Sequence, residues 1–282
     1  MTSPAIPAAG AALPVSPGDG APPPKPPHAA AGPTGREHLL DPPSTWPGRV
    51  ALAMQGAVER CVARVSIHGD PAVYDPALFP WVAEIEAEWR KVRAELDRVL
   101  VLRDRLPAFH EILDEVRTIT TDQDWKTFWL AGIGMDCEDN RRRCPETMRL
   151  LAKIPGMKTA FFSILAPHKH IPAHRGAYNG LLRCHLGLIV PEPRAACRIR
   201  VGDRMCRWSE GKSLVFDDTF NHEVWNDTEG TRVVLFVDFA RPLRAPFHRL
   251  NLALLALGAL APFLRRASRR HKLWEKRVAA PQ

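Results

Sequence analysis

His174-Arg175-Gly176-Ala177-Tyr178-Asn179-Gly180-Leu181-Leu182-Arg183-Cys184-His185-Leu186-Gly187-Leu188 is the stretch on which the reading of this chain turns. In an extended strand alternate residues share a face, so Arg183 and His185 point one way while Leu182, Cys184, Leu186 and Leu188 point the other. A strand of this kind packs its apolar side and lines a site with its polar side. Asp217-Asp218-Thr219-Phe220-Asn221-His222-Glu223-Val224-Trp225 follows with another histidine, and Arg232 opens the apolar run Val233-Val234-Leu235-Phe236-Val237.

Around this stretch the chain from Asp124 onward is cut by Gly, Pro and Asp into short apolar or alternating runs: Thr127–Leu130, Thr159–Leu165, Leu181–Val190, Cys197–Val201, Ser213–Phe216 and Arg232–Phe239. Strands without long helices between them predict an antiparallel double-sheet jelly roll, a double-stranded beta-helix, over residues 124–245. His168 and His170 read as loop residues without a role.

Helices are expected on either side. Trp46, Val50, Ala53, Ala57 or Val58, Cys61 and Val65 have helical spacing, as do Trp81, Ile85, Trp89, Val92, Leu96 and Val99, and together they predict a helical platform over 44–123. Residues 246–282 hold an apolar segment, Leu250–Leu264, followed by a basic run from Arg265 to Lys272. The apolar part is short of the roughly 20 residues that span a bilayer. It is expected to pack on the platform helices, with seating on an anionic membrane surface as the alternative.

Residues 1–43 are mostly Ala, Pro and Gly and cannot bury enough surface to offset their ordering entropy, so a disordered tail is expected. No basic start precedes an apolar core, which argues against a secretion signal and for a cytoplasmic protein. The 282 residues carry a net charge of +8, spread in short clusters that read as a solvated surface and predict no nucleic-acid partner. Six cysteines (Cys61, Cys137, Cys144, Cys184, Cys197, Cys206) form no C-x-x-C pair and are expected to be reduced, with a Cys137–Cys144 bridge conceivable only in an oxidising compartment.

The chemistry follows from which side chains a jelly roll would gather. His174 and His222, on different strands, are placed to converge as neutral imidazole ligands of a non-haem iron, leaving positions open for oxygen and a bidentate 2-oxo acid. The carboxylate that would complete a facial triad two residues after the first histidine is absent, because Gly176 stands there. Arg232 is suited to a bidentate grip on a carboxylate, Ser163 can add a hydroxyl, and Arg183 and His185 supply cationic or donor groups beside the metal. No catalytic residue beyond the metal ligands is expected.

The chain resembles the aspartyl/asparaginyl beta-hydroxylases, a family that includes bacterial lipid A hydroxylases. The resemblance rests on Trp125-Lys126-Thr127-Phe128, Cys144-Pro145-Glu146-Thr147, Ser163, the stretch from His174 through Leu188, Asp217-Asp218 with His222-Glu223-Val224-Trp225, and Arg232, and runs roughly from Tyr74 to Pro242. It implies an Fe(II)- and 2-oxoglutarate-dependent dioxygenase that uses O2 to hydroxylate an unactivated C–H bond. His174 and His222 would hold the iron, Arg232 with Ser163 the distal carboxylate of 2-oxoglutarate, and Arg183 and His185 would lie near its metal-binding end. The absence of a carboxylate at Gly176 fits the family.

The expected substrate is a small-molecule, peptide or lipid C–H: first an Asp/Asn-type side chain or small amino-acid-derived molecule, then a lipid acyl chain at a membrane surface. Leu181 departs from the family's animal peptide hydroxylases, which carry a basic residue there. A jelly-roll binding protein without turnover is the alternative from another class.

Overall fold

The computed structural model describes residues 35–36, 45–258 and 261–279. Most of the Ala/Pro/Gly-rich segment expected to be disordered therefore lies outside the described residues. Ten strands, β1 (Val73–Tyr74), β2 (Trp125–Ala131), β3 (Met157–Leu165), β4 (His170–His174), β5 (Leu181–Ile189), β6 (Cys197–Val201), β7 (Arg204–Arg207), β8 (Ser213–Phe216), β9 (His222–Asn226) and β10 (Arg232–Ala240), form two sheets. The larger has the order β1-β8-β5-β10-β3-β2 and the smaller β4-β9-β6-β7, and all pairs are antiparallel. The core is the jelly roll that the strand pattern predicts.

The central strand β10 is buried at every position. Its alternation separates two cores: Val233, Leu235, Val237 and Phe239 join the cluster that holds the helices, while Val234 and Phe236 join the one that includes residues of both sheets. Within the latter, Trp129, Phe161 and Phe236 stack at centroid distances of 4.6 and 4.2 Å. The strands missing from the sequence reading (β1, β4, β7, β9) are short or rich in polar residues, and they are set by ladder pairing rather than by their own apolar pattern.

The helices are α1 (Trp46–Val65), α2 (Pro80–Ala87), α3 (Trp89–Leu100), α4 (Phe109–Ile112), α5 (Glu138–Arg143), α6 (Pro145–Leu151), α7 (Phe247–Gly258) and α8 (Pro262–Ala279). The stripe read as one helix is two, broken at Glu88, whose backbone leaves the helical region (φ −110°, ψ 13°). Trp81, Val82, Ile85, Val92, Leu96 and Val99 pack on Phe128, Phe162, Leu235 and Phe239 of the larger sheet, each such burial stabilising by roughly 1.5–3 kcal/mol.

Helix α1 forms where the spacing predicts it, capped by the Thr45 hydroxyl accepting from Gly48 N, but turns a different face inward. Glu59 and Val62 are its buried residues, while Trp46, Val50, Met54 and Val58 are exposed. The reason is an ion pair: Glu59 is held by Arg175 at 2.5 Å.

The apolar C-terminal segment is likewise split, with Pro262 opening α8 as a residue that cannot continue α7 but suits a first helical turn. The expectation that it packs throughout on the platform is corrected. In α7 only Asn251 and Leu255 are buried, and Phe247, Leu250, Leu254 and Leu257 face solvent. Helix α8 does dock, through Ala267, His271 and Trp274, whose indole N–H donates to Arg105 O at 2.8 Å. No single helix among the described residues is long and apolar enough to cross a membrane; α7 and α8 reach that length only jointly, and are bent by 59° to one another.

Candidate active site

His174 ends β4 and His222 begins β9, and the two are ladder partners, so the pairing of the smaller sheet brings their rings to a centroid distance of 4.1 Å. Each ring is oriented the same way by its own chain. Nδ1–H of His174 donates to Pro172 O at 2.8 Å, and Nδ1–H of His222 to Phe220 O at 3.0 Å. That fixes the tautomer with Nε2 unprotonated, the form that binds a metal. Burial, with Arg183 adding to it, pushes the His174 imidazolium down to about 4. It depresses His222 well below the ordinary histidine range, with His174 and Arg183 contributing.

Arg183, His185, Ser163 and Arg232 come from the larger sheet, and all four line one small cavity together with His174 and His222. The sequence reading named these six, and the fold brings all six together. Arg232 is 2% exposed and is not paired with any carboxylate among the described residues. Its Nη1 reaches only Ser163 Oγ at 3.4 Å, and its guanidinium lies 4.6 Å from the Trp208 ring centroid. Burial pushes its pKa down to about 10. Trp125 Nε1–H donates to Ser163 Oγ at 3.0 Å, which leaves the serine proton free for a ligand. His185 is buried against Phe216 and Phe236, with no partner on either ring nitrogen.

Arg183 is differently placed. It is ion-paired with Asp218 and Asp238, each at 2.8 Å, and stacks 4.1 Å over Phe236. Asp218 is the residue whose role the sequence reading missed. A Cβ on Gly176 would meet the Asp218 carboxylate at 2.3 Å, so this acid fills the space into which a side chain at 176 would project. Gly176 N also donates to Asp218 O at 2.7 Å. Burial raises the Asp218 pKa to about 6 against the opposing pull of Arg183. The signal was present in the quoted Asp217-Asp218, but nothing in a linear sequence places it against Gly176.

Among the described residues no group of three or more His, Cys, Asp or Glu is arranged to hold a metal. The donor set for a metal is the histidine pair, each ring with its Nε2 unprotonated. The residues fit an iron with a carboxylate cosubstrate on two counts: the oriented neutral imidazoles, and a buried guanidinium awaiting an anion.

His174 also lines a second, larger cleft of about 350 Å³. Its polar end holds His174, Gly176, Arg183, Asp218 and Asp238, and its walls are Phe109, Leu113, Val116, Trp129, Leu181 and Phe236, with Phe263 and Leu264 of α8. The rim at Ala177 and Tyr178 is tied to two helices: Gln55 of α1 donates to Ala177 O at 3.0 Å, and Tyr178 Oη to Asn251 Oδ1 of α7 at 2.8 Å.

The six cysteines are free. Cys137 and Cys144 are both fully buried, and burial pushes each thiol up to about 12.

A family model described as aspartyl/asparaginyl beta-hydroxylase matches residues 86–242. An ornithine lipid ester-linked acyl 2-hydroxylase of Rhizobium tropici is 53% identical over 212 residues, covering 75% of this chain and 75% of that protein. The aspartyl/asparaginyl beta-hydroxylase of Homo sapiens is 34% identical over 176 residues, 61% of this chain but only 22% of the human protein's length. A prolyl-4-hydroxylase from Pseudomonas putida overlaps 67% of this chain and 99% of its own at 18% identity and a TM-score of 0.34, too loose a likeness to support any conclusion.

Proposed function

Since the chain belongs to the aspartyl/asparaginyl beta-hydroxylase family, we propose that it is an iron(II)- and 2-oxoglutarate-dependent dioxygenase that hydroxylates the acyl chain of a membrane lipid next to its carbonyl. The observation that carries the lipid reading is the cleft: its aromatic and aliphatic walls, Leu181 among them, adjoin His174, whose ring lies against that of His222. The relative from Rhizobium tropici, whose name gives that reaction, supports it. These features favour a lipid over the Asp/Asn-type substrate placed first on sequence.

His174 and His222 would hold the iron through Nε2. Iron, with O2 and 2-oxoglutarate, supplies the oxidising power against an unactivated C–H bond that no side chain here can attack. Arg232 and the Ser163 hydroxyl would take the distal carboxylate of 2-oxoglutarate, which neutralises the buried guanidinium. His185, which lines the same cavity with both ring nitrogens unpartnered, would be a further donor. Asp218 and Asp238 hold Arg183 against Phe236, which fixes this part of the lining shared by the small cavity and the cleft. The apolar walls would exclude water and take up the acyl chain.

The rim also suits an anionic bilayer. Phe247, Leu250, Leu254 and Leu257 form an exposed stripe on α7, Phe263 is exposed at the cleft, and Arg244, Arg249, Arg265 and Arg269 are exposed on the same helices and the turn before them. Each basic group near such a surface adds about 1 kcal/mol of attraction.

The test pairs two assays. Purified protein with Fe(II), 2-oxoglutarate and ornithine lipid should yield lipid heavier by one oxygen in step with succinate release, and an Asp-containing peptide should yield neither. Hydroxylation of the peptide and not the lipid would overturn the substrate, and no succinate with any substrate would favour a binding protein. Phosphatidylcholine vesicles containing phosphatidylglycerol should sediment the protein in a salt-sensitive manner. Leu250→Asp with Leu254→Asp should abolish that with little change in thermal stability, because both positions are exposed; unaltered sedimentation would remove α7 from the contact.

A further inference from the structure

His174 and His222 are each at the end of a strand, so the chain leaves the ladder at each histidine, and the register between β4 and β9 shifts between Ile171 and His174. On the other side of each lies a loop residue, Arg175 and Asn221. Each is held by one of two consecutive residues from the far N-terminal part of the chain. Asn221 N donates to Gly35 O at 2.9 Å, and the Arg175 guanidinium donates to Arg36 O.

The Arg36 side chain then locks this strap onto the loop that leads into β9. Its Nη1 and Nη2 donate to the Asp70 carboxylate at 2.7 and 2.6 Å, Nη2 also reaches Asp217 Oδ2 at 2.5 Å, and Nε donates to Thr219 Oγ1 at 2.8 Å. The guanidinium plane lies 4.3 Å from the Phe220 ring centroid. Phe220 O is the acceptor that orients the His222 ring. The contacts therefore run from Arg36 through the residues adjoining both histidines, and through the carbonyl that sets one ring's tautomer.

We propose that Arg36, with Gly35, is a positioning strap that fixes the separation and orientation of the His174 and His222 imidazoles as metal donors. This rests on the reading of those histidines as the iron ligands. Two ligands in place of three make donor geometry more demanding, because no third side chain restrains the metal if one ring swings away. A fork that satisfies three acceptors and stacks on Phe220 holds the loop in a way that a lysine cannot reproduce.

A purely structural role is separable. Asp70 and Asp217 keep Arg241 as a partner, at 2.7 and 2.9 Å, when Arg36 is removed, so no buried carboxylate is left alone and Arg36→Ala is expected to fold. The experiment is anaerobic titration of full-length metal-free protein with Co(II), read by calorimetry and visible absorption, for wild type, Arg36→Ala, Arg36→Lys and the exposed control Arg194→Ala. Melting temperatures and imidazole 15N shifts of the metal-free proteins are taken alongside.

Removing an outer partner of metal ligands weakens binding by about 10–100-fold, and Arg36→Ala should fall in that range, with Arg36→Lys between it and wild type and Arg194→Ala unchanged. The His174 and His222 ring signals should broaden in Arg36→Ala without metal. Cobalt affinity of folded Arg36→Ala equal to wild type would overturn the proposal. If that variant melts at the titration temperature, equal affinity in Arg36→Lys would overturn it instead. Failure of wild type to bind one Co(II) would strike down the metal reading itself, an outcome distinct from a wild type that binds and a variant that binds equally.

Discussion

A guanidinium sealed at 2% exposure with no carboxylate beside it is costly to fold, and Arg232 is such a group. On the proposed function its charge serves the cosubstrate carboxylate rather than the fold. Arg232→Met keeps a long side chain and removes the charge, so the metal-free variant should be more stable than wild type by about 1–4 kcal/mol in denaturant unfolding. It should also lack the rise in melting temperature expected of the wild type with 2-oxoglutarate, which at a hundredfold excess over Kd would correspond to about 2.7 kcal/mol. A less stable metal-free variant would show that Arg232 supports the fold itself. Arg241 makes the contrast. From sequence it looks like another arginine just beyond a strand, yet it is fully buried and bonded to Asp217, Asp70 and Tyr74. Residue type alone could not tell a ligand's arginine from a structural one; only the partners could.

At the scale of elements, what the sequence made legible followed from alternation and spacing. The inward face of β5 and the apolar face of α3 were readable because each repeats with the period of its element. Contacts between elements left no such trace. Glu95 sits on the packed side of α3 at 2% exposure, where a carboxylate breaks the pattern. It is there for another helix: its oxygens accept from Glu146 N at 2.9 Å and Thr147 N at 2.8 Å, and from Thr147 Oγ1 at 2.6 Å, at the start of α6. Four N–H groups at a helix start need partners from outside the helix, and here a distant residue serves. Glu95→Ala should cost about 3 kcal/mol, with Glu95→Gln intermediate because an amide oxygen accepts without the charge. Equal stability of Glu95→Ala and wild type would mean that water replaces the carboxylate freely. The inward turn of α1 was hidden for the same reason, since the partner that buries Glu59 lies on the far side of the chain.

Across the whole molecule, ion pairs tie segments distant in sequence. Asp70 gathers Arg36 from the N-terminal segment and Arg241 from beyond β10. Burial works against its charge, but the hydrogen bonds and charges of the two arginines outweigh that and hold its carboxyl below the ordinary value of 3.8. A folded-state pKa that is depressed contributes stability fully present above the unfolded value and lost as pH falls through the folded one. Asp70→Asn should therefore be less stable than wild type by about 1–3 kcal/mol at pH 7, and the gap should close only below about pH 4. A gap that is the same at pH 7 and pH 2.5 would show that charge is not what Asp70 contributes. Ser163, Arg183, His185 and Arg232 were legible because each lies on a readable strand, and His174 and His222 because of the residues around them although their own strands were not read; the ties that hold the set, Arg36 above all, come from parts of the chain with no periodicity to announce them.

The position of β10 also decides when the molecule can become whole. It lies between β3 and β5, pairing with both, yet it is the last strand to leave the ribosome. Until it inserts, both neighbours present a hydrophobic edge with unpaired backbone groups, each a template for another chain. Every pairing that β10 makes is also distant in sequence, which favours slow closure. Yield of native protein should therefore be governed by crowding among nascent chains during that wait, so that slower, cooler synthesis gives more soluble enzyme than any change at the active site.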